Sequence, residues 1–166
     1  VVAPADYEAV LVDLRAGAVP AGRLRALAAK AFGHVSTYDA VVADYLRDEA
    51  FPDELTIAGR KAFEPRYGEN PHQRAAAYHL LGQSGDASGV LAANQLSGKA
   101  MSFNNLLDAD AALGVVRGED APAVCVVKHM TPCGYAVRDD LAEATRLAIA
   151  GDPVSAFGGI VALNRV

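Results

Sequence analysis

The sequence has 166 residues and a mass of 17.2 kDa, a length that allows one ordinary domain or one small domain with part of another. With 52% apolar and 21% charged residues it has enough apolar surface for a packed core, which excludes an intrinsically disordered chain. The formal net charge of −5 and the absence of Trp disfavour a nucleic-acid binder, so an anionic ligand would need a local cluster of positive side chains.

The first fifty residues predict two helices. Pro4 suits a first helical turn, and apolar residues recur at helical spacing until Gly17. After Pro20 a second apolar stripe follows, in which Gly33 costs about 1 kcal/mol relative to Ala and allows a break or a kink. The stripe consists of Leu24, Leu27, Ala28, Ala31, Phe32, Val35, Tyr38, Val42, Tyr45 and Leu46. Residues 48–58 are polar and contain a proline, and we place a domain boundary there.

Both ends of the sequence are abrupt. Val1 and Val2 resemble the middle of a strand, and the basic segment and apolar run of a signal peptide do not follow them. Residues 160–163 again have the composition of a strand. We therefore expect a piece of a longer protein.

After residue 51 the pattern changes to short strands, loops and helices. Residues 75–80 predict a strand, and residues 82–89 are rich in Gly, Ser and Asp, which indicates a surface loop. Asp108 is predicted to cap a helix that Gly118 ends.

The last third of the chain predicts a strand, a helix and a second strand. Residues 123–127 are apolar and largely β-branched, which is typical of a strand buried on both faces. Asp140 with Glu143 resembles a capping box for a helix that ends at Gly151, and residues 159–163 predict the next buried strand. This order indicates a βαβ unit, so the expected fold class is α/β.

The strongest candidate site lies where the first buried strand ends. Lys128 and His129 leave that strand and enter a segment with Pro132 and Gly134, which we interpret as a turn. Ligands bind beyond the carboxyl ends of strands in open α/β sheets, and this pair supplies a fixed cation and a general base near neutral pH. The alternative is a solvated Lys and a His that hydrogen-bonds the turn.

Two further segments are candidates for ligand binding. Residues 64–73 contain two prolines, a glycine and several ionisable groups, which predicts a structured loop in which Arg66 is suited to a phosphate; the alternative is a surface loop with solvated charges. In residues 152–159, Gly158 and Gly159 permit close approach of the backbone to a ligand, or simply form a tight turn.

A third segment, around Lys99, resembles a phosphate-binding loop but fails the pattern. Ala100 follows Lys99 where Ser or Thr is required, and Ala93 occupies the position of the first glycine.

A metal site is not expected. The four histidines lack the spacing of metal ligands, and Pro132-Cys133 is only half of the zinc-deaminase signature because Ala136 replaces its second cysteine. Cys125 is expected in the core and Cys133 in the turn, both reduced, as in an intracellular protein.

Four segments in this order resemble one family. They are Arg-Tyr-Gly-Glu-Asn-Pro-His-Gln at 66–73, Asn-Asn-Leu-Leu-Asp-Ala-Asp-Ala at 104–111, the segment 127–134 with Lys-His and Pro-Cys-Gly, and Asp-Pro-Val-Ser-Ala-Phe-Gly-Gly at 152–159. The family is the bifunctional purine-biosynthesis enzyme 5-aminoimidazole-4-carboxamide ribonucleotide (AICAR) transformylase / inosine monophosphate (IMP) cyclohydrolase.

The resemblance implies a fold for each part. Residues 1–50 would be the last helices of the cyclohydrolase domain with the junction. Residues 51–166 would begin the transformylase domain, which in this family has a cytidine-deaminase-like α/β fold without zinc.

The resemblance also implies formyl transfer from 10-formyltetrahydrofolate to the 5-amino group of AICAR. His129 matches the general base that takes a proton from the amine, and Lys128 matches the residue that stabilises the oxyanion and assists the leaving nitrogen. Positions matching substrate contacts are Arg66, Tyr67, Phe157 and Gly158, with Lys99 and Asn104 as further candidates.

The sequence departs from the family in two respects. Thr131 stands where many bacterial members have Asn, a change that we expect the loop to tolerate. Family members are several times longer, so cyclohydrolase residues would precede Val1 and further nucleotide and folate contacts would follow Val166. The family implies a cytoplasmic homodimer without nucleic-acid or membrane partners; the alternative is an inactive structural or dimerisation fragment of the same protein.

Overall fold

The computed structural model describes residues 1–82 and 89–165, so most of the loop predicted at 82–89 lies outside the described residues. The described chain divides into two units, residues 1–60 with 80–82 and residues 61–79 with 89–165. Within these ranges, no helix combines the length and the apolar character that a membrane crossing requires.

The first unit contains the two predicted helices. A 3₁₀ turn at Pro4–Asp6 leads into α1 (Tyr7–Arg15), and α2 spans Ala21–Leu46. Helix α2 continues through Gly33 without a break. Ion pairs join α1 and its leading turn to α2, one between Arg23 and Asp13 and one between Lys30 and Asp6. The expected strand at the first two residues is wrong, because they precede the 3₁₀ turn as irregular chain.

Two short strands form a small two-stranded sheet. Strand β2 (Ala77–Leu80) confirms the strand predicted at 75–80, and it pairs with β1 (Gly59–Phe63). The sequence did not indicate β1, since Gly-Arg-Lys-Ala-Phe lacks an apolar alternation and most of its residues are exposed.

Helix α3 (Phe103–Arg117) begins earlier than predicted. Its cap is Ser102, whose hydroxyl accepts from the Asn105 N–H at 3.3 Å while the Asn105 side chain accepts from the Ser102 N–H at 3.4 Å. The cap of this reciprocal capping box lies six positions before Asp108, so the predicted start is wrong and Asp108 lies inside the helix. The predicted end at Gly118 is confirmed.

The larger sheet has the order β4-β3-β5, and every pairing in it is antiparallel. Its strands are β3 (Ala123–Lys128), β4 (Thr131–Val137) and β5 (Ile160–Leu163). The α/β class is confirmed, but the βαβ unit with its parallel pair is wrong. The chain reverses directly after β3, so the segment interpreted as a Pro/Gly turn is itself a strand.

A bulge allows proline and glycine in β4. Val126 pairs with Gly134 and Val127 pairs with Pro132, which leaves Cys133 as the extra residue of β4. In the described sheet β4 lies at an edge, where proline is tolerated because its missing N–H interrupts no central ladder.

The core of the second unit lies on both faces of β3, as predicted. Helix α3 covers one face and α4 (Leu141–Gly151) covers the other. On one face, Ala112 and Val116 of α3 pack with Ala123, Cys125 and Val127. On the other face, Ala144 and Ala148 of α4 pack with Val124, Val126 and Ala136. Burial raises the pKa of the Cys125 thiol, as expected of a core cysteine.

The sequence also predicted the cap of α4 and the burial of β5, and the structure corrects the second prediction. The Asp140 half of the predicted capping box is confirmed, since its carboxylate accepts from the N–H groups of Ala142 and Glu143 and caps α4. Strand β5 is not buried on both faces, since Val161 and Leu163 are each 42% exposed. The four-residue helix α5 (Pro153–Ala156) lies between α4 and β5 in the chain.

Candidate active site

The candidate site is built around the two-residue turn between β3 and β4. Lys128 pairs with Thr131, and the turn residues His129 and Met130 have φ of 54° and 61°. Positive φ at both central positions is the geometry of a type I′ hairpin turn, which glycine and asparagine usually supply. His129 is therefore placed at the tip of a hairpin by a backbone conformation that is uncommon for residues other than glycine.

Helix α3 contacts this turn directly. The Met130 N–H donates to the Asp108 Oδ1 at 2.7 Å. The sequence predicted Asp108 only as a helix cap and did not indicate this contact, because the two residues are 22 positions apart and nothing local shows that they meet.

Lys128 contacts the segment between α5 and β5. Its Nζ donates to the carbonyl oxygen of Phe157 at 2.9 Å. The Asp152 carboxylate, which caps α5, accepts from the Ser155 hydroxyl and N–H, and these bonds, with the positive charge of Lys128, lower the pKa of Asp152. The structure thus brings the predicted positions Lys128 and Phe157 together.

The two glycines after Phe157 serve different purposes. Gly158 has a φ of 75°, a conformation that a larger residue adopts only with strain. A Cβ on Gly159 would lie 2.9 Å from the carbonyl oxygen of Val127. The close approach expected at Gly159 is therefore to the protein backbone of β3.

The loop at 64–73 is structured, as predicted. Its base is closed by Glu64, whose carboxylate pairs with Arg74 and Lys61 at 2.9 Å each, and these cations lower the pKa of Glu64 to about 2. Inside the loop, the Gly68 N–H donates to the Gln73 carbonyl at 2.8 Å.

Arg66 and Tyr67 form a pair on this loop. The Arg66 guanidinium lies 4.9 Å from the centre of the Tyr67 ring and donates to its hydroxyl at 3.1 Å, which lowers the pKa of Tyr67. Backbone hydrogen bonds from Arg66 to Met101 and from Phe103 to Tyr67 fasten the pair to the start of α3. The rest of the guanidinium fork has donors for an anion.

Asn104 connects the loop to the turn. Its side chain donates to the Glu69 carbonyl at 3.0 Å, and it lines a depression of about 250 Å³ together with His129 and Asp108. Glu69, Phe103, Leu107 and Met130 complete the lining. The structure therefore brings Asn104 and His129 to one depression.

Lys99 lies elsewhere in the second unit. It lines a larger cavity of about 570 Å³ with Glu64, Gln95 and mostly apolar side chains, and it does not line the depression that holds His129. No group of three His, Cys, Asp or Glu side chains in residues 1–82 and 89–165 is arranged to hold a metal ion.

Comparison with known proteins identifies the family. The family model described as the AICARFT/IMPCHase bienzyme matches residues 1–166. The chain belongs to this family. The resemblance of the four ordered segments is thereby confirmed over the whole sequence.

Relatives in this bienzyme family share almost half of their aligned residues with the chain. Each of the following is named bifunctional purine biosynthesis protein PurH. The protein of Sorangium cellulosum is 47% identical over 99% of this chain, that of Bacillus cytotoxicus 48% over 99%, and that of Rhodopirellula baltica 46% over 98%. The alignments cover 34%, 33% and 32% of these relatives, so the chain spans about a third of their length.

Proposed function

We propose that this chain carries part of the formyl-transfer site of a bienzyme for de novo purine synthesis. The reaction moves a formyl group from 10-formyltetrahydrofolate to the 5-amino group of AICAR, in a protein that also has IMP cyclohydrolase activity. The observation that carries the proposal is the Lys128–His129 turn, with the ammonium on the Phe157 carbonyl and the imidazole at the depression shared with Asn104. Membership of the bienzyme family supports it.

In the proposed chemistry, His129 handles a proton and Lys128 stabilises a negative charge. The amine of AICAR attacks the formyl carbon and forms a new C–N bond, and His129 accepts the proton that the amine loses. The oxygen of the tetrahedral intermediate carries the negative charge, and Lys128 stabilises it. The carbonyl then re-forms, the bond from the formyl carbon to N10 of the folate breaks, and N10 takes the proton that His129 removed, with assistance from Lys128, so that both side chains return to their starting protonation. The product is formylated AICAR with free tetrahydrofolate.

The geometry of Lys128 is compatible with that role. One of its three N–H donors is used by the Phe157 carbonyl, which leaves two for a developing oxyanion. Removal of a single donor to an oxyanion typically costs about 3 kcal/mol of transition-state stabilisation.

The remaining assignments concern the nucleotide. Arg66 and Tyr67 would bind AICAR, with the guanidinium suited to its phosphate, and Gly158 would make a backbone contact beside Phe157, which is 85% exposed. Asn104 is a further candidate because it shares the depression with His129, and Lys99 is a candidate in the separate, larger cavity.

Several whole-protein properties complete the proposal. Residues 1–50 would belong to the cyclohydrolase domain and residues 51–166 to the transformylase domain. The protein would be a cytoplasmic homodimer that needs no metal for this site and binds neither nucleic acid nor membranes.

The test uses a full-length bienzyme that contains this sequence. Lys128→Met and His129→Ala are each expected to lower the kcat for formyl transfer at least ~100-fold, because one loses the oxyanion donor and the other the base. His79→Ala, which removes an exposed histidine of β2, is the matched control and should retain the parental rate. IMP cyclohydrolase activity of each variant is the internal control for folding. Near-parental formyl transfer by Lys128→Met and His129→Ala would refute the assignment.

A further inference from the structure

The turn that carries His129 has an unfavourable backbone and therefore needs support. His129 and Met130 are consecutive non-glycine residues with positive φ, a conformation that side chains with a Cβ rarely adopt. In a two-residue hairpin this conformation decides where the side chain of the first turn residue lies.

Asp108 is placed to supply that support. Its Oδ1 accepts from the Met130 N–H at 2.7 Å, which is the short end of the usual range for N–H···O hydrogen bonds. The helix that carries Asp108 packs through Ala112 and Val116 on one of the two buried faces of β3, so the same core holds the carboxylate against the hairpin. Asp108 also lines the depression that His129 lines.

We propose that Asp108 is a positioning residue for the general base. By holding the Met130 N–H, it keeps the turn in its left-handed conformation and keeps the His129 imidazole at the depression. The inference rests on the proposed function, because it assumes that His129 acts in formyl transfer. It assigns Asp108 no contact with substrate.

The substitution series separates the hydrogen bond from the charge. Asp108→Asn retains a side-chain oxygen at the same position and removes the negative charge, whereas Asp108→Ala removes both. If the hydrogen bond is what positions the turn, the Asn variant keeps its activity and the Ala variant does not.

The matched control is Asp110→Ala. Asp110 lies on the same helix, and its Oδ1 also accepts a backbone N–H, that of Val90, at 3.2 Å. Its loss removes a comparable hydrogen bond from α3 without touching the turn.

The experiment measures formyl transfer by the full-length bienzyme. Asp108→Ala should lower kcat about 10- to 100-fold with a change in KM for AICAR of less than about 3-fold, since a displaced base affects the chemical step more than binding. Asp108→Asn and Asp110→Ala should remain within about 3-fold of the parent. Equal losses in the Asn and Ala variants, or no loss in either, would overturn the inference.

A second variant keeps the test decisive. Glycine adopts positive φ freely, so Met130→Gly should restore part of the activity lost in Asp108→Ala, measured relative to Met130→Gly alone. Hydrogen exchange of the Met130 amide reports the contact independently of activity and should accelerate in Asp108→Ala but not in Asp110→Ala. Absence of both the rescue and the faster exchange would contradict the positioning role.

Parallel measurement of His129→Ala separates the two proposals. If His129→Ala is inactive and Asp108→Ala is unaffected, only the positioning inference fails. If His129→Ala keeps near-parental turnover, the proposed function fails, and the exchange of the Met130 amide still decides whether Asp108 holds the turn.

Discussion

Glu64 provides a residue-scale prediction about pH. Its carboxylate lies between Arg74 and Lys61, whose hydrogen bonds and positive charges lower its pKa from 4.5 to about 2. Because the folded-state pKa lies below the unfolded value, the contribution of Glu64 to stability is fully present above pH 4.5 and is lost as the pH falls towards about 2. Carboxyl ¹³C NMR titration should show this low midpoint. Arg74→Met should move it upward, whereas Arg146→Met, a change on α4, should leave it in place.

The same loop shows what single residues reveal in a sequence. The density of proline, glycine and charge predicted a structured loop, and the hydrogen bond between Gly68 and Gln73 and the ion pairs of Glu64 confirm it. Asp108 shows the limit of such reasoning. An aspartate before an apolar run indicates a cap, but Ser102 with Asn105 provides a better one, and the contact to Met130 depends on tertiary packing.

At the scale of elements, the packing of α4 on β4 depends on a glycine. A Cβ at Gly134 would lie 1.9 Å from the carbonyl oxygen of Ala148, which is backbone and cannot move aside cheaply. Gly134→Ala should therefore destabilise the chain by about 3 kcal/mol or more. Gly114→Ala on α3, where a Cβ meets nothing within 4 Å, should stabilise it by up to about 1 kcal/mol. Urea unfolding of both variants measures the contrast, and equal effects would contradict the packing argument.

Asn164 ties β5 to the connection between α3 and β3. Its side chain donates to the carbonyls of Glu119 and Ala121 and accepts from the Ala123 N–H, each at 2.8 Å. Asn164→Ala removes three hydrogen bonds of about 1 kcal/mol each, so we expect a loss of about 2–3 kcal/mol in the free energy of unfolding. Arg165→Ala, at the exposed neighbour, should cost less than about 0.5 kcal/mol in the same urea titration. A comparable loss at both positions would rule out a special role for Asn164.

The sequence predicted elements well where their own composition was distinctive. Strand β3 is a continuous apolar run and was recognised, and α2 was recognised from its long apolar stripe. Strand β4 was missed because Thr-Pro-Cys-Gly has the composition of a turn, and its true turn, His129-Met130, lacks the glycine or asparagine that marks a two-residue hairpin. The antiparallel sheet followed from that hairpin, and the βαβ interpretation failed with it.

At the scale of the whole molecule, the four segments that carry the family resemblance converge on the second unit. The loop at 66–73 is fastened to the start of α3, α3 contacts the turn at 129–130, and Lys128 contacts Phe157. Sequence order alone predicted these segments as separate candidates. Their connection is a property of the folded unit, and it explains why residues distant in sequence are candidates for one reaction.

The openness of this site leads to the last prediction. Phe157 is 85% exposed and His129 lines a surface depression, so water reaches the groups that would act on the formyl donor. An ammonium stabilises an oxyanion strongly only where water is excluded, because the effective dielectric constant is then low. We therefore predict that the isolated 166-residue chain does not catalyse formyl transfer at a measurable rate, whereas a full-length bienzyme that contains it does. Absorbance assays on both, with the mass of the isolated chain verified, test this, and robust turnover by the isolated chain would contradict it.

Calorimetric titration of the isolated chain with AICAR adds the complementary result: measurable affinity would exclude a purely structural or dimerisation role, since Arg66 and Tyr67 already form their pair within this chain.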